Sequence, residues 1–163
     1  MINKKPISPE NALARAAALC SRCEQAPSDI RNKLISWGLT SHDAEIFIQR
    51  LIDERFLDES RFAAAFARDK FRFAGWGRIK IAYQLRSKHI SDDIIEDSLS
   101  LIDENEYIDS LKHILSTKMR SLTSKEPLQA KAALLRFASS RGFEPALIYK
   151  HLPPFPDYDD DCY

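Results

Sequence analysis

Glycine is scarce in this chain of 163 residues: four in all, at 38, 75, 77 and 142. That scarcity leaves no phosphate-cradling loop. Gly75-Trp76-Gly77 is a lone G-x-G with no third glycine, no strand before it and no G-K-[ST] anywhere. Cysteine is scarce too, with an odd count of three, so a disulfide framework is not expected. No apolar run approaches the ~18 residues that span a membrane. The N-terminal stretch lacks a signal-peptide core, since Glu10 and Arg15 interrupt it. A cytoplasmic protein is expected. The chain also lacks net charge, with 24 basic and 24 acidic residues. It has no G-x-S-x-G, H-E-x-x-H or kinase-type signature, and its acidic residues are dispersed. These absences point away from an enzyme and toward a binding protein.

What remains is helical periodicity. Apolar residues recur at spacings of 3, 4 and 7 rather than in alternation. Ser8-Pro9-Glu10 is a helix start, with a hydroxyl cap, a proline in the first turn and an acid near the positive dipole end. Leu13, Ala16, Ala17 and Cys20 then share a face. Pro27-Ser28-Asp29 opens a second helix with Ile30 and Leu34 inward and Gly38 as terminator. Thr40 or Ser41 caps a third through Ala44, Phe47, Ile48 and Leu51.

The same triplet recurs. Leu34, Gly38, Leu39, Ala44 and Ile48 align with Leu85, His89, Ile90, Ile95 and Leu99, and again with Ala138, Gly142, Phe143, Ile148 and Leu152. One amphipathic helix cannot bury its apolar stripe alone, but three in a triplet can. The long first helices are expected to begin near Ser8, Glu59 and Glu106. The expected fold class is all-α, a tandem array of three three-helix units forming a curved, elongated protein. Residues 1–57 make the first unit, 58–104 the central basic unit and 105–152 the third. The polar stretch from Ser116 to Pro127 reads as a loop. Residues 153–163, with four aspartates and three prolines, read as an acidic disordered tail.

Charge is unevenly placed. Between residues 55 and 88 lie nine basic side chains and three acidic ones, a net of +6, so the remainder carries −6. This block is the candidate contact surface for a polyanion or an acidic protein. Within it, Arg61, Arg68 and Arg72 return to one helical azimuth and form a stripe about 40° wide. Phe62, Phe66 and Phe73 lie about 100° away, where they can face the core. Aligned guanidinium groups suit phosphates or carboxylates, although a solvated helix face has the same pattern. Trp76 could anchor a partner or stack on a base, or simply cover a helix junction. Cys20-Ser21-Arg22-Cys23 is a C-x-x-C with no second pair, and zinc would need two more ligands. No metal site and no cofactor are expected.

Three motifs in this block resemble the central repeat of the RecX family, bacterial regulators of the RecA recombinase. They are LIDERF from Leu51, the R-F-A-x-x-F-x-R run from Arg61 to Arg68, and the G-x-x-x-I-x-x-x-L run from Gly77 to Leu85. The resemblance is strongest over residues 51–90 and extends more weakly over most of the chain. One departure is Lys88-His89-Ile90, where the family often has glycine before the aliphatic residue. The resemblance implies a regulator that binds the RecA–DNA filament and modulates, most simply inhibits, recombinase and ATPase activity in DNA repair and recombination. Its partners would be the RecA filament and single- or double-stranded DNA, met directly or within the filament, and the protein would act as a monomer without a membrane. The candidate partner- or DNA-binding residues are Arg55, Arg61, Arg68, Lys70, Arg72, Trp76, Arg78, Lys80 and Arg86. The alternative is a DNA-binding protein of helix-turn-helix type, since a basic helix can enter a major groove.

Overall fold

Most of the helix starts are set by nearby residues. Ser8 Oγ accepts the Asn11 N–H at 3.4 Å, Thr40 Oγ1 that of Asp43 at 3.1 Å, and Asp103 Oδ1 that of Glu106 at 2.9 Å. Prolines occupy the first turn where no side-chain cap exists, at Pro27, Pro127 and Pro145. A computed structural model describes residues 7–155, and among them it holds nine α-helices and no strand. They are α1 (Pro9–Arg22), α2 (Pro27–Ser36), α3 (Ser41–Asp53), α4 (Glu59–Arg72), α5 (Arg78–Ser87), α6 (Asp92–Ser100), α7 (Glu104–Arg120), α8 (Pro127–Ser140) and α9 (Pro145–His151). None is long and apolar enough to cross a membrane. Asp157 to Asp161, the acidic part of the expected tail, lie outside the described residues.

The second helix of each triplet ends in the same way. Gly38, His89 and Gly142 sit in the left-handed region at φ 103°, 61° and 91°. The next residue donates its N–H back to a carbonyl five positions earlier: Leu39 to Leu34, Ile90 to Leu85 and Phe143 to Ala138, each at 3.2 Å. These bonds satisfy carbonyls that the helix end orphans, and they turn an apolar anchor inward. Leu39, Ile90 and Phe143 are all buried. The recurring stop-and-anchor pair is therefore one capping motif used three times.

The chain divides into two compact units. One holds residues up to Phe66 together with Gln84–Ser98; the other holds Ala67–Tyr83 together with residues from Leu99 on. The division runs through α4 and α5. In the first unit Ala12, Ala16, Ile30, Leu34, Leu39, Ala44, Ile48, Leu51 and Leu57 form the core, with Trp37 and Phe56 packed at its edge. Ser28 Oγ donates to the Lys88 carbonyl at 2.8 Å and Lys88 Nζ pairs with Asp29 at 2.7 Å, which fastens the end of α5 to the start of α2.

In the second unit a row of rings, Phe71, Tyr107 and Phe143, has centroids 5.7 and 5.1 Å apart. The start of α5 has no capping side chain of its own, because Gly77 precedes it. Its orphan N–H groups are satisfied by the third triplet instead. Gly77 donates to the Arg141 carbonyl at 2.7 Å, Arg78 to Tyr107 Oη at 2.9 Å and Ile79 to the Gly142 carbonyl at 3.0 Å. The approach is close enough that a Cβ on Gly77 would stand 2.3 Å from the Gly142 carbonyl oxygen.

Three expectations are corrected. The loop expected from Ser116 to Pro127 is shorter, because α7 continues through Arg120. Leu115 is buried just before this stretch and Leu122 within it, just beyond the helix, so apolar burial anchors it at both points. The first helix of the third triplet begins at Glu104 rather than near Glu106, because Asp103 is its cap. Phe73 does not face the core but is 85% exposed. α4 ends at Arg72, so the helical azimuth no longer positions it, and Phe71 takes the inward place.

Candidate functional site

Arg55, Arg61 and Arg86 belong to the first unit. Arg55 is exposed with φ 61°, on the turn between α3 and α4, and its carbonyl accepts from Arg61 Nη2 at 3.2 Å. Arg61 makes a forked contact with Glu24, at 2.9 and 3.4 Å. Both arginines line an open cleft of about 580 Å³, but Asp58 and Glu59 line it as well and offset their charge. Arg86 is exposed and pairs with Asp92 at 2.7 Å.

Arg68, Lys70, Arg72, Trp76, Arg78 and Lys80 belong to the second unit. Arg68 and Arg72 are exposed on α4, paired with Asp69 at 3.0 Å and Glu106 at 3.6 Å. Exposed pairs of this kind are worth about 0–1 kcal/mol, so a partner's anion can replace the carboxylate at little cost. Lys70 and Lys80 bring their ammonium groups to 4.9 and 4.6 Å from the Trp76 ring centroid. Trp76 is half-buried, and its backbone N–H donates to the Lys70 carbonyl at 3.0 Å. The indole therefore gathers two cations beside the exposed end of α4.

Arg78 is placed differently. Its side chain is 22% exposed and stacks 4.0 Å above the Tyr107 ring. It pairs with Glu104 at 2.6 Å and Glu144 at 3.6 Å. Burial opposes its charge, yet the Glu104 hydrogen bond and the nearby carboxylates outweigh burial and raise its pKa. Tyr107 Oη donates to Glu144 at 2.6 Å, and burial followed by that bond pushes the phenol pKa up. Arg78 is thus engaged inside the unit on every side that these contacts define.

Three residues that the sequence did not single out as surface groups stand out here. Phe73, Ile79 (51% exposed) and Tyr83 (68% exposed) are large apolar side chains open to solvent. All three lie in the Ala67–Tyr83 segment that also presents Arg68, Arg72 and Lys80. Ile79 and Tyr83 are one turn apart on α5 and so share a face. An i,i+4 apolar pair ordinarily signals a core face, which is why the sequence alone did not flag it. The partner carboxylates were equally hidden, since Glu24 and Glu106 lie far from their arginines in sequence. Among the described residues no cluster of three or more His, Cys, Asp or Glu could hold a metal ion.

These features define an all-helical protein of tandem three-helix units whose central segment presents cations and apolar rings together. The family description "RecX, second three-helix domain" matches residues 58–99. The chain is 31% identical over 116 residues to a regulatory protein RecX from Clostridium tetani (strain Massachusetts / E88), covering 70% of this chain and 53% of that one. It is 25% identical over 149 residues to a regulatory protein RecX from Mycobacterium sp. (strain KMS), covering 89% and 81%. A crystal structure of RecX from Lactobacillus salivarius superposes with a TM-score of 0.77 at 17% identity, covering 88% of this chain and 93% of that one. The chain belongs to the RecX family of regulatory proteins. It spans about half the length of several curated relatives it matches, 53% for those from Clostridium tetani and Lactobacillus johnsonii.

Proposed function

We propose that this protein regulates the RecA recombinase in the cytoplasm by binding the RecA–DNA filament, and that it restrains filament activity by occupancy without chemistry of its own. Family membership supports the regulatory role. The observation that carries the mode of action is the mixed character of the Ala67–Tyr83 segment. Arg68 and Arg72 offer guanidinium groups paired with exposed carboxylates, while Phe73, Ile79 and Tyr83 offer apolar area. A bare polyanion needs the first set, and a protein surface makes use of the second. A protein-coated nucleic acid uses both.

The test compares binding to RecA-coated single-stranded DNA, to the same DNA alone and to RecA alone. Much tighter association with the coated strand, together with a fall in DNA-dependent ATP hydrolysis on titration, is the expected result. Equal affinity for bare and coated DNA would replace this reading with direct DNA binding. That second reading draws on Trp76 with its two lysines and on the exposed rings, which suit stacking against bases. RecA activity unchanged across a full titration would overturn the proposal.

A further inference from the structure

The last turn of α1 carries two thiols that the proposed function does not use. Cys20 is half-buried on the helix and Cys23 is exposed as its C-cap residue. Residues three apart at a helix end are neighbours, with Cβ atoms about 5–6 Å apart. A disulfide needs about 3.5–4.5 Å, so closing it asks for a shift of about 1–2 Å. This turn can supply that shift. Cys23 has left helical angles for φ −159° and ψ 160°, and its N–H reaches the Leu19 carbonyl only at 3.4 Å. Gln25 Nε2 donates to Cys23 Sγ at 3.0 Å. Burial, then the neighbouring Glu24 charge, push the Cys20 thiol up. Glu24 follows Cys23 directly and is the residue that holds Arg61.

We propose that Cys20 and Cys23 form a thiol–disulfide exchange site whose substrate is a low-molecular-weight disulfide, and that closing the Cys20–Cys23 bond moves Glu24 off Arg61. Exposed Cys23 attacks first as its thiolate, joining one sulfur of the small disulfide and expelling the other as a thiolate that takes up the Cys23 proton. Cys20 then attacks the Cys23 sulfur. The second small thiolate leaves with the Cys20 proton. Two protein thiols are oxidised, and one small disulfide is reduced to two thiols. Cross-links that strain a helix end have more oxidising potentials than structural ones, which suits a bond that forms and reopens. Arg61 is exposed, so losing Glu24 changes the charge it presents without unmaking the core.

The experiment uses the full chain and its Cys162→Ser variant, oxidised with glutathione disulfide and digested with trypsin without reduction. Trypsin cuts at Arg22, between the two cysteines, so the internal bond appears as peptides 16–22 and 23–31 joined together. Joined peptides in both proteins, released by a thiol reductant, are the expected result. Glutathione retained on Cys23 with no joined peptide would overturn the exchange site. A second readout is the Arg61 Nε–H resonance. In the oxidised protein it should move toward its position in the reduced Glu24→Gln variant. Joined peptides with that resonance unmoved would overturn the coupling to Arg61.

Discussion

Arg72 and Arg78 carry the same charge on neighbouring elements but act at opposite extremes. Arg72 stands in solvent against one exposed carboxylate, whereas Arg78 is wrapped by Tyr107, Glu104 and Glu144. Their charge was legible in the sequence, and their surroundings were not, because each partner comes from a different helix. Tyr107 decides the second case. It is fully buried, accepts the Arg78 backbone N–H and donates to Glu144. Tyr107→Phe keeps the ring contacts with Phe71 and Phe143 but removes the oxygen that joins donor to acceptor. A helix-start N–H and a half-buried carboxylate are then left short of a partner. The expected loss is about 1–3 kcal/mol. At about 2–4 °C per kcal/mol for a chain of this size, thermal melting should fall by several degrees.

The three triplets share one capping motif, and the middle one departs from it at a single position. Their shared ends after α2, α5 and α8 were visible in sequence because a stop residue, then an anchor, recurs at near-constant distance. The departure at His89 was visible as well, and the structure shows that histidine adopts the left-handed angle that glycine adopts at 38 and 142. A side chain in that region costs about 1–2 kcal/mol, and glycine returns part of it through a more disordered unfolded chain. His89 is exposed. His89→Gly should therefore stabilise the protein by about 0.5–1 kcal/mol, seen as a rise in melting temperature. Gly142→Ala should act in the other direction and more strongly. Its φ is 91°, and a Cβ would lie 2.3 Å from Lys80 Cβ and 2.5 Å from Lys80 N. Left-handed strain and overpacking together cost about 2–5 kcal/mol. Urea unfolding of the two variants beside the parent protein checks both signs. The run-on of α7 past Ser116 and the outward turn of Phe73 were less legible, since polar composition and helical azimuth each stop being reliable within a turn of a helix end.

Over the whole chain, a formal charge of zero conceals +6 between residues 55 and 88 and −6 elsewhere. That division can be counted from the sequence. The division of the fold into two units running through α4 and α5 cannot, because it depends on bonds such as Gly77 N–H to the Arg141 carbonyl, made between residues far apart in the chain. The charge division leads to a test that separates electrostatic from apolar attachment. Each phosphate neutralised on a single strand contributes about −0.7 to the slope of log affinity against log salt. If Arg68 and Arg72 each meet a phosphate, the Arg68→Glu, Arg72→Glu variant should bind RecA-coated single-stranded DNA with a slope shallower by about 1.4. Its affinity should also fall by at least tenfold, since one lost charge-assisted contact costs about 1.5–3 kcal/mol. Stability should change little, because both side chains are exposed and surface substitutions usually stay within about 0.5 kcal/mol each. Phe73→Ser with Tyr83→Ser should instead lower affinity while leaving the slope in place, since apolar contacts release no counterions. A double glutamate variant with unchanged slope and affinity would assign these two arginines to the solvated surface and leave the exposed rings to account for attachment.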